Sequence, residues 1–250
     1  MGARAAFINM TLEFEELDYQ QTPLGEIVLR RRSEPRLNGK LVYEVKLGDE
    51  FLMSSMFTAA EIQLAHIGLS ALDNPCLDVV VGGLGLGYTA VAALTITSVR
   101  SLLVVELMQP VIDWHRRGLV PLGKELVSDP RCTIVHADFF ELASTDGGFD
   151  RTAPTQLAHA VLLDIDHSPS HWLTPGNSKF YSVQGLRGLA DKLHAGGVFG
   201  LWSNDPPETA FTSLLDTVFR YSESHPALVP GASHSKQPPF LRRLVHGIIE

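Results

Sequence analysis

Three short stretches near the start of the chain alternate apolar and polar residues at period two: Leu12-Glu-Phe-Glu-Glu-Leu17, Gly25-Glu-Ile-Val-Leu-Arg30 and Leu41-Val-Tyr-Glu-Val-Lys-Leu47. Alternation of this kind marks strands with one wet face, so residues from about 12 to 55 are predicted to form a small antiparallel β unit. Thr58 then reads as a helix N-cap with Glu61 as its capping-box partner, and Ile62, Leu64, Ala65, Ile67 and Leu69 supply an apolar stripe. Beyond it the rhythm changes. Nearly continuous apolar runs at about 77–82, 101–106, 133–135, 160–164 and 197–202 read as buried parallel strands, and helical patterns separate them at about 88–96, 109–117, 180–193 and 206–219. Phe240–Ile249 reads as a last strand, and the Pro-, Ser-, His- and Gly-rich stretch at about 224–239 as an exposed connection or a mobile lid. The fold class expected is α/β, Rossmann-like and mainly parallel, over residues 57–250, preceded by a β domain at 1–56. In a right-handed βαβ series the ligand sits at the carboxyl ends of the strands.

The first of those strands runs into Gly82-Gly83-Leu84-Gly85-Leu86-Gly87, and the second ends in Glu106. Glycines at 83, 85 and 87 let the chain turn sharply and come close to a ligand, and a carboxylate at the end of the next strand can accept both hydroxyls of a ribose. The spacing narrows the ligand. A dinucleotide loop needs glycine at its sixth position, where this chain has Tyr88, and no Gly-Lys-Ser/Thr follows for a nucleoside triphosphate. The tighter form resembles the first motif of S-adenosylmethionine-dependent enzymes, whose ligand carries no phosphate.

Further acids stand at successive strand ends: Asp138 in His136-Ala-Asp-Phe-Phe140, and Asp164 in Leu162-Leu-Asp-Ile-Asp166-His167-Ser-Pro169. Asp138 suits the adenine amino group, with Phe139 beside it in the cofactor-binding set. Asp164 is the expected base, and Asp166 would share its face in an extended segment, so that two neighbouring carboxylates could raise one pKa toward neutrality. His167 joins them as a catalytic candidate. His167, His171 and the two acids are of metal-ligating types, yet Pro169 breaks the local geometry and no metal is expected. Trp202 and Asn204 after the fifth strand, with Tyr88, Trp172 and Tyr181, are candidates for the crevice wall.

Composition excludes little and redirects one class. With 20 basic against 28 acidic residues the net charge is −8, which disfavours nucleic acid and anionic membranes and favours a small-molecule partner. Met1–Ala6 carries no secretion or myristoylation pattern and no apolar run reaches the roughly 20 residues of a membrane span, so a soluble, cytoplasmic protein is expected. Cys76 and Cys132 adjoin predicted strands and are expected to be reduced core residues.

The order of these features, together with Ser128-Asp-Pro-Arg-Cys132 before a strand and Phe180-Tyr181 beyond the acidic loop, resembles the spermidine synthase family over most of the chain. The resemblance implies a small N-terminal β domain, a methyltransferase-like fold, a dimer, and a nucleoside site made by Gly83, Gly85, Gly87, Glu106 and Asp138. The chain also departs from that family. Gly85 stands where the family's loop Asp grips the ammonium of decarboxylated adenosylmethionine, only Asp164 matches a carboxylate of the family's acidic loop, and residues 51–60 lack the upstream Gln and Tyr, leaving Glu61 as the helix's one matching acid. Burying an ammonium without a carboxylate costs several kcal/mol. The expected activity is therefore methyl or other alkyl transfer from S-adenosylmethionine to a small-molecule acceptor. The alternatives are aminopropyl transfer from the decarboxylated donor with an altered acceptor site, and a catalytically silent nucleoside-binding partner protein.

Overall fold

The computed structural model describes residues 14–226 and the backbone of a strand at 243–248. The chain divides into two compact units, 1–56 and 57–250. In the first, β1 (Phe14–Thr22), β2 (Gly25–Glu34), β3 (Lys40–Leu47) and β4 (Glu50–Ser54) form an antiparallel sheet in sequential order. The period-two pattern holds: Ile27, Leu29, Val42 and Val45 are buried. On β2 and β3 the buried Glu44 takes Arg30 and Arg32 at 2.8 Å each, which satisfies a carboxylate that could not stand alone in that position. Strand β4 had no alternation long enough to predict it as a separate element.

The second unit begins with α1 (Ala59–Ser70), for which Thr58 is the N-cap residue but makes no side-chain cap bond, so the predicted capping box is not formed. There follow β5 (Leu77–Gly82), α2 (Tyr88–Leu94), β6 (Val99–Glu106), α3 (Gln109–Arg117), α4 (Gly123–Ser128), β7 (Cys132–His136) and α5 (Phe139–Ser144). The chain continues through β8 (Ala158–Leu163), α6 (Val183–Ala190), β9 (Leu193–Ser203), α7 (Thr209–Asp216), β10 (Tyr221–Pro226) and β11 (Arg243–Ile248). Helix α3 shows why the boundaries fell where the sequence put them. Pro110 sits in its first turn, where a missing N–H costs nothing, and Gly118 closes it with a left-handed φ of 67°. The segment predicted as a connection at 224–239 starts instead as the end of β10; residues 227–242 lie outside the described residues, as do the ends of the predicted strand 240–249.

The strand order of the large sheet is β10-β11-β9-β8-β5-β6-β7. Pairings from β9 through β7 are parallel, whereas β11 lies antiparallel to β9 and β10 antiparallel to β11. The fold is thus Rossmann-like, with a five-stranded parallel core. The chain leaves β5 toward β6 and β7, then returns to β8 on the other side of β5. That reversal opens a crevice at the carboxyl ends of β5 and β8. Aromatic side chains fill one core cluster: Phe139 stacks on Phe149 with centroids 5.2 Å apart, and Phe180, Tyr181, Phe199, Phe211 and Phe219 surround them. Of the cysteines, Cys132 is half-buried with its thiol pKa pushed up to about 12 by burial, but Cys76 is exposed, contrary to the expectation of a core residue, because it precedes β5 in an open turn. Among the described residues no helix is long and apolar enough to cross a membrane.

At the opposite, amino end of the sheet, the buried Asp78 clips β5 to β6: its carboxylate accepts from both Arg100 and, at 2.5 Å, Ser101 Oγ. Burial pushes its pKa up, and the hydrogen bonds from Arg100 and Ser101 outweigh that and hold it below the ordinary carboxylate value of 3.8. A depressed folded pKa gives stability that is present above the unfolded value and lost as pH falls through the folded one. Asp78→Asn is therefore expected to cost about 1–3 kcal/mol near neutral pH. That penalty should shrink toward zero as the pH is lowered below 3.8. Urea unfolding of both proteins across that range checks this, and a penalty independent of pH would show that the ionised carboxylate is not its source.

Candidate active site

The crevice is built around main chain. At Gly83, φ is +94°, and a Cβ there would lie 2.2 Å from the carbonyl oxygen of Asp164, so only glycine lets the ends of β5 and β8 meet. The two ends are also tied by Asp164 N–H donating to Gly82 O at 2.8 Å. Gly85 and Gly87 take positive φ values of 47° and 91°, and Gly87 opens α2. The loop is therefore the tight, side-chain-poor turn its sequence predicted.

Glu106, at the end of β6, is buried at 6% exposure. Its Oε2 accepts from Leu84 N at 2.9 Å and its Oε1 from Met108 N at 2.8 Å. Burial drives its pKa up, opposed by hydrogen bonds from the main-chain N–H groups of Met108, Leu84, Gly85 and Leu107. Main-chain donors from both the glycine loop and the turn after β6 thus converge on the one carboxylate. In this arrangement Glu106 anchors the glycine loop, a duty beside the ribose-holding role expected of it. The sequence placed the acid correctly but could not show this second duty.

Asp138 caps α5. Its Oδ1 accepts from Phe140 N and Glu141 N at 2.8 and 3.2 Å, and Oδ2 takes no part in those cap bonds, which suits it to a donor such as an exocyclic amine. Phe139, expected to join the cofactor site, is 2% exposed in the aromatic core. The reason is its position: it is the first residue of α5, which turns it against the central strands, where its ring would lie 2.7 Å from a Cβ at Gly82.

The acidic loop after β8 separates its two carboxylates. Asp164 is partly exposed, and its Oδ2 accepts from Thr89 Oγ1, in the first turn of α2, at 2.8 Å. Asp166, expected as its partner in catalysis, is 1% exposed. Leu173 N and Asn177 Nδ2 donate to Oδ1 at 2.8 and 2.9 Å, and Tyr181 OH donates to Oδ2 at 2.8 Å. Its pKa is raised, as anticipated, but by burial and not by a neighbouring carboxylate, against the pull of those three hydrogen bonds. Asp166, expected as a catalytic neighbour of Asp164, is instead an anchor of the loop. His167 stacks against His171 with ring centroids 4.9 Å apart, and its carbonyl accepts from Asn204 N at 2.7 Å, tying the loop to the end of β9. Among the wall candidates Tyr181 and Trp202 are buried, whereas Trp172 is exposed and donates to Pro169 O. Among the described residues no group of three or more His, Cys, Asp and Glu gathers as a metal would need.

Two contributors escaped the sequence reading. Thr89 carries no motif of its own. His115 does leave a trace: it follows Val111 by four residues on the apolar stripe of α3, a core-facing position where an imidazole needs a reason. A small cavity lined by Asp78, Ser101, Arg131, Asp150 and Gln156 lies at the amino ends of the strands, away from the acids, and its Arg131 is committed to Asp129 and to main-chain carbonyls.

Among known proteins, the chain is 28% identical over 177 residues to polyamine aminopropyltransferase 2 of Pseudomonas aeruginosa; the match takes in 67% of this chain and 46% of that one, so the chain spans about half the length of this curated relative. No family model matches. Its fold superposes on a spermidine synthase crystallised with the transition-state analogue AdoDATO at a TM-score of 0.72, with 18% identity over 94% of this chain and 74% of that one. The spermidine synthase of Thermotoga maritima gives 0.69, again at 18% identity, over 94% and 72%. Human methyltransferase-like protein 13 with SAH gives 0.54, at 16% identity over 76% and 82%. The chain thus shares the fold of solved spermidine synthases and resembles a polyamine aminopropyltransferase in sequence over 177 residues.

Proposed function

We propose that this protein is a transferase that draws its group from an adenosyl sulfonium and delivers it to a small-molecule nucleophile, with aminopropyl transfer to an amine the better supported form. The observation that carries the reading is the meeting of Gly83 and Asp164 across the switch point, which sets a carboxylate held by Thr89 beside the glycine loop. The relatives named above favour aminopropyl over methyl transfer.

The residues present suit such a donor. From Gly82 to Tyr88 there is no basic side chain, as fits a ligand without phosphates, and Asp138 offers an acceptor oxygen at the neighbouring strand end. When bound, the sulfonium supplies a carbon already activated toward attack. What remains for the chain is to align the nucleophile and take its proton. Asp164 is the group for that task, its carboxylate already oriented by Thr89, while Asp166 fixes the backbone that carries it. A homodimer working on a small acceptor, without nucleic acid or membrane, belongs to the same reading.

One observation favours the second form, methyl or other alkyl transfer. Gly85 brings no side chain to the place where a carboxylate would grip the donor's ammonium, and nothing there repels the carboxylate of ordinary adenosylmethionine. Calorimetry with the two donors, followed by mass-spectrometric detection of the thioether nucleoside released in the presence of a panel of small amines, separates the forms. Tighter binding of the decarboxylated donor and release of methylthioadenosine are expected; preference for adenosylmethionine with release of adenosylhomocysteine would establish methyl transfer, and binding of neither would end the transferase reading.

The two acids should also separate. Asp164→Asn is expected to lower turnover by about tenfold or more with nucleoside affinity and thermal stability retained. Asp166→Ala strands three buried donors and should cost about 1–3 kcal/mol in unfolding free energy. Full turnover in Asp164→Asn would remove that residue from the mechanism.

A further inference from the structure

One buried titratable group is left unused by this reading. His115, on α3, is fully buried, and its Nε2 lies 2.9 Å from the carbonyl oxygen of Gly85. Its other ring nitrogen, Nδ1, is buried without a hydrogen-bond partner. The ring is wedged in place. A Cβ at Gly87 would come within 2.9 Å of His115 Cε1, and one at Gly123, at the start of α4, within 2.7 Å of His115 O. A carbonyl can only accept, so the nitrogen facing it carries the proton and Nδ1 is bare; this assigns the neutral Nε2–H tautomer. Burial lowers the imidazole's pKa, in keeping with that state.

We propose that His115 is a specificity-determining positioning residue: by binding the Gly85 carbonyl it turns that oxygen into the protein interior and away from the amino-acid end of the donor. The peptide plane is rigid, so holding the oxygen also fixes the direction of the Leu86 N–H. A carbonyl left facing the donor would attract an ammonium and repel a carboxylate. Held against a buried imidazole, it does neither, and the loop keeps a surface that tolerates a donor carboxylate where Gly85 already lacks an acid. The inference rests on the adenosyl-sulfonium reading of the site.

The test is the ratio of two affinities, those for adenosylmethionine and for its decarboxylated form, measured by calorimetry without acceptor on the full chain. His115→Phe keeps a ring and removes the donor; His115→Gln keeps an amide N–H near the place of Nε2. In His115→Phe the ratio should shift toward the decarboxylated donor by about fivefold, the worth of one hydrogen bond. His115→Gln should restore the wild-type ratio. Equal loss of both ligands at an unchanged ratio would mean that His115 merely supports the fold, and overturns the proposal. Wild-type protein that binds neither ligand would instead defeat the donor reading. Should His115→Phe fail to fold, nitrogen-15 NMR of the wild-type imidazoles still decides, because a bare Nε2 on His115 contradicts the proposal and a protonated one upholds it.

Discussion

Everything in the crevice depends on the passage of two main chains with no side chain between them. At the switch point the end of β5 runs so close to the first residue after β8 that a single methyl on Gly83 would collide with Asp164 O at 2.2 Å. The loop that follows cannot hold itself in this shape, since successive positive φ values cost conformational entropy and expose amides. Glu106 supplies the missing constraint. By accepting from Leu84 and Met108 it links the loop to the end of β6, while His115 holds Gly85 from the side of α3. The loop is thus fastened on both sides before any ligand arrives, which is the preorganisation that an alignment-driven transfer needs.

The carboxylates at the crevice divide their duties by burial. Those that the fold encloses, Glu106 and Asp166, are saturated with protein donors and work on the backbone. The less buried ones, Asp138 and Asp164, each hold a local hydrogen bond and are partly open to solvent, where an outside donor can reach them. The division follows from desolvation: a buried carboxylate must be met by several hydrogen bonds from the protein, and a group so enclosed is out of reach of a transient partner.

What the sequence disclosed, it disclosed where one interaction dominated. Strands β5 and β6 were legible because burial on both faces makes their runs continuously apolar, and the end of α3 because Gly118 admits the left-handed turn. The glycine loop and the strand-end acids followed from the same periodicity. Failures came where two readings of a residue differ only by tertiary context. Asp166 was placed beside Asp164 on the assumption of an extended loop, whereas the loop folds so that Asp166 meets Asn177 and Tyr181. Phe139 was assigned by adjacency to Asp138, but a cap and the residue after it point in different directions once the helix starts. His115 carries no motif, and only its place within an apolar stripe of α3 signals it.

The family likeness and the altered loop pull the donor assignment in opposite directions, and electrostatics shows why one residue can bear that weight. In the interior an ammonium without an opposing charge is costly, whereas a carboxylate can be held by main-chain N–H groups alone. A loop in which Gly85 brings no side chain, and whose carbonyl is held by His115, offers a donor's ammonium no charged partner and sets no charge against a carboxylate, which weighs toward the second form while the sequence likeness weighs toward the first. The acceptor side moves the other way: Asp164 remains, and a carboxylate beside an activated carbon suits an amine that must shed a proton before it attacks. On the proposed reading, then, the two forms of transfer are told apart by the donor's tail rather than by the nucleoside that both donors share.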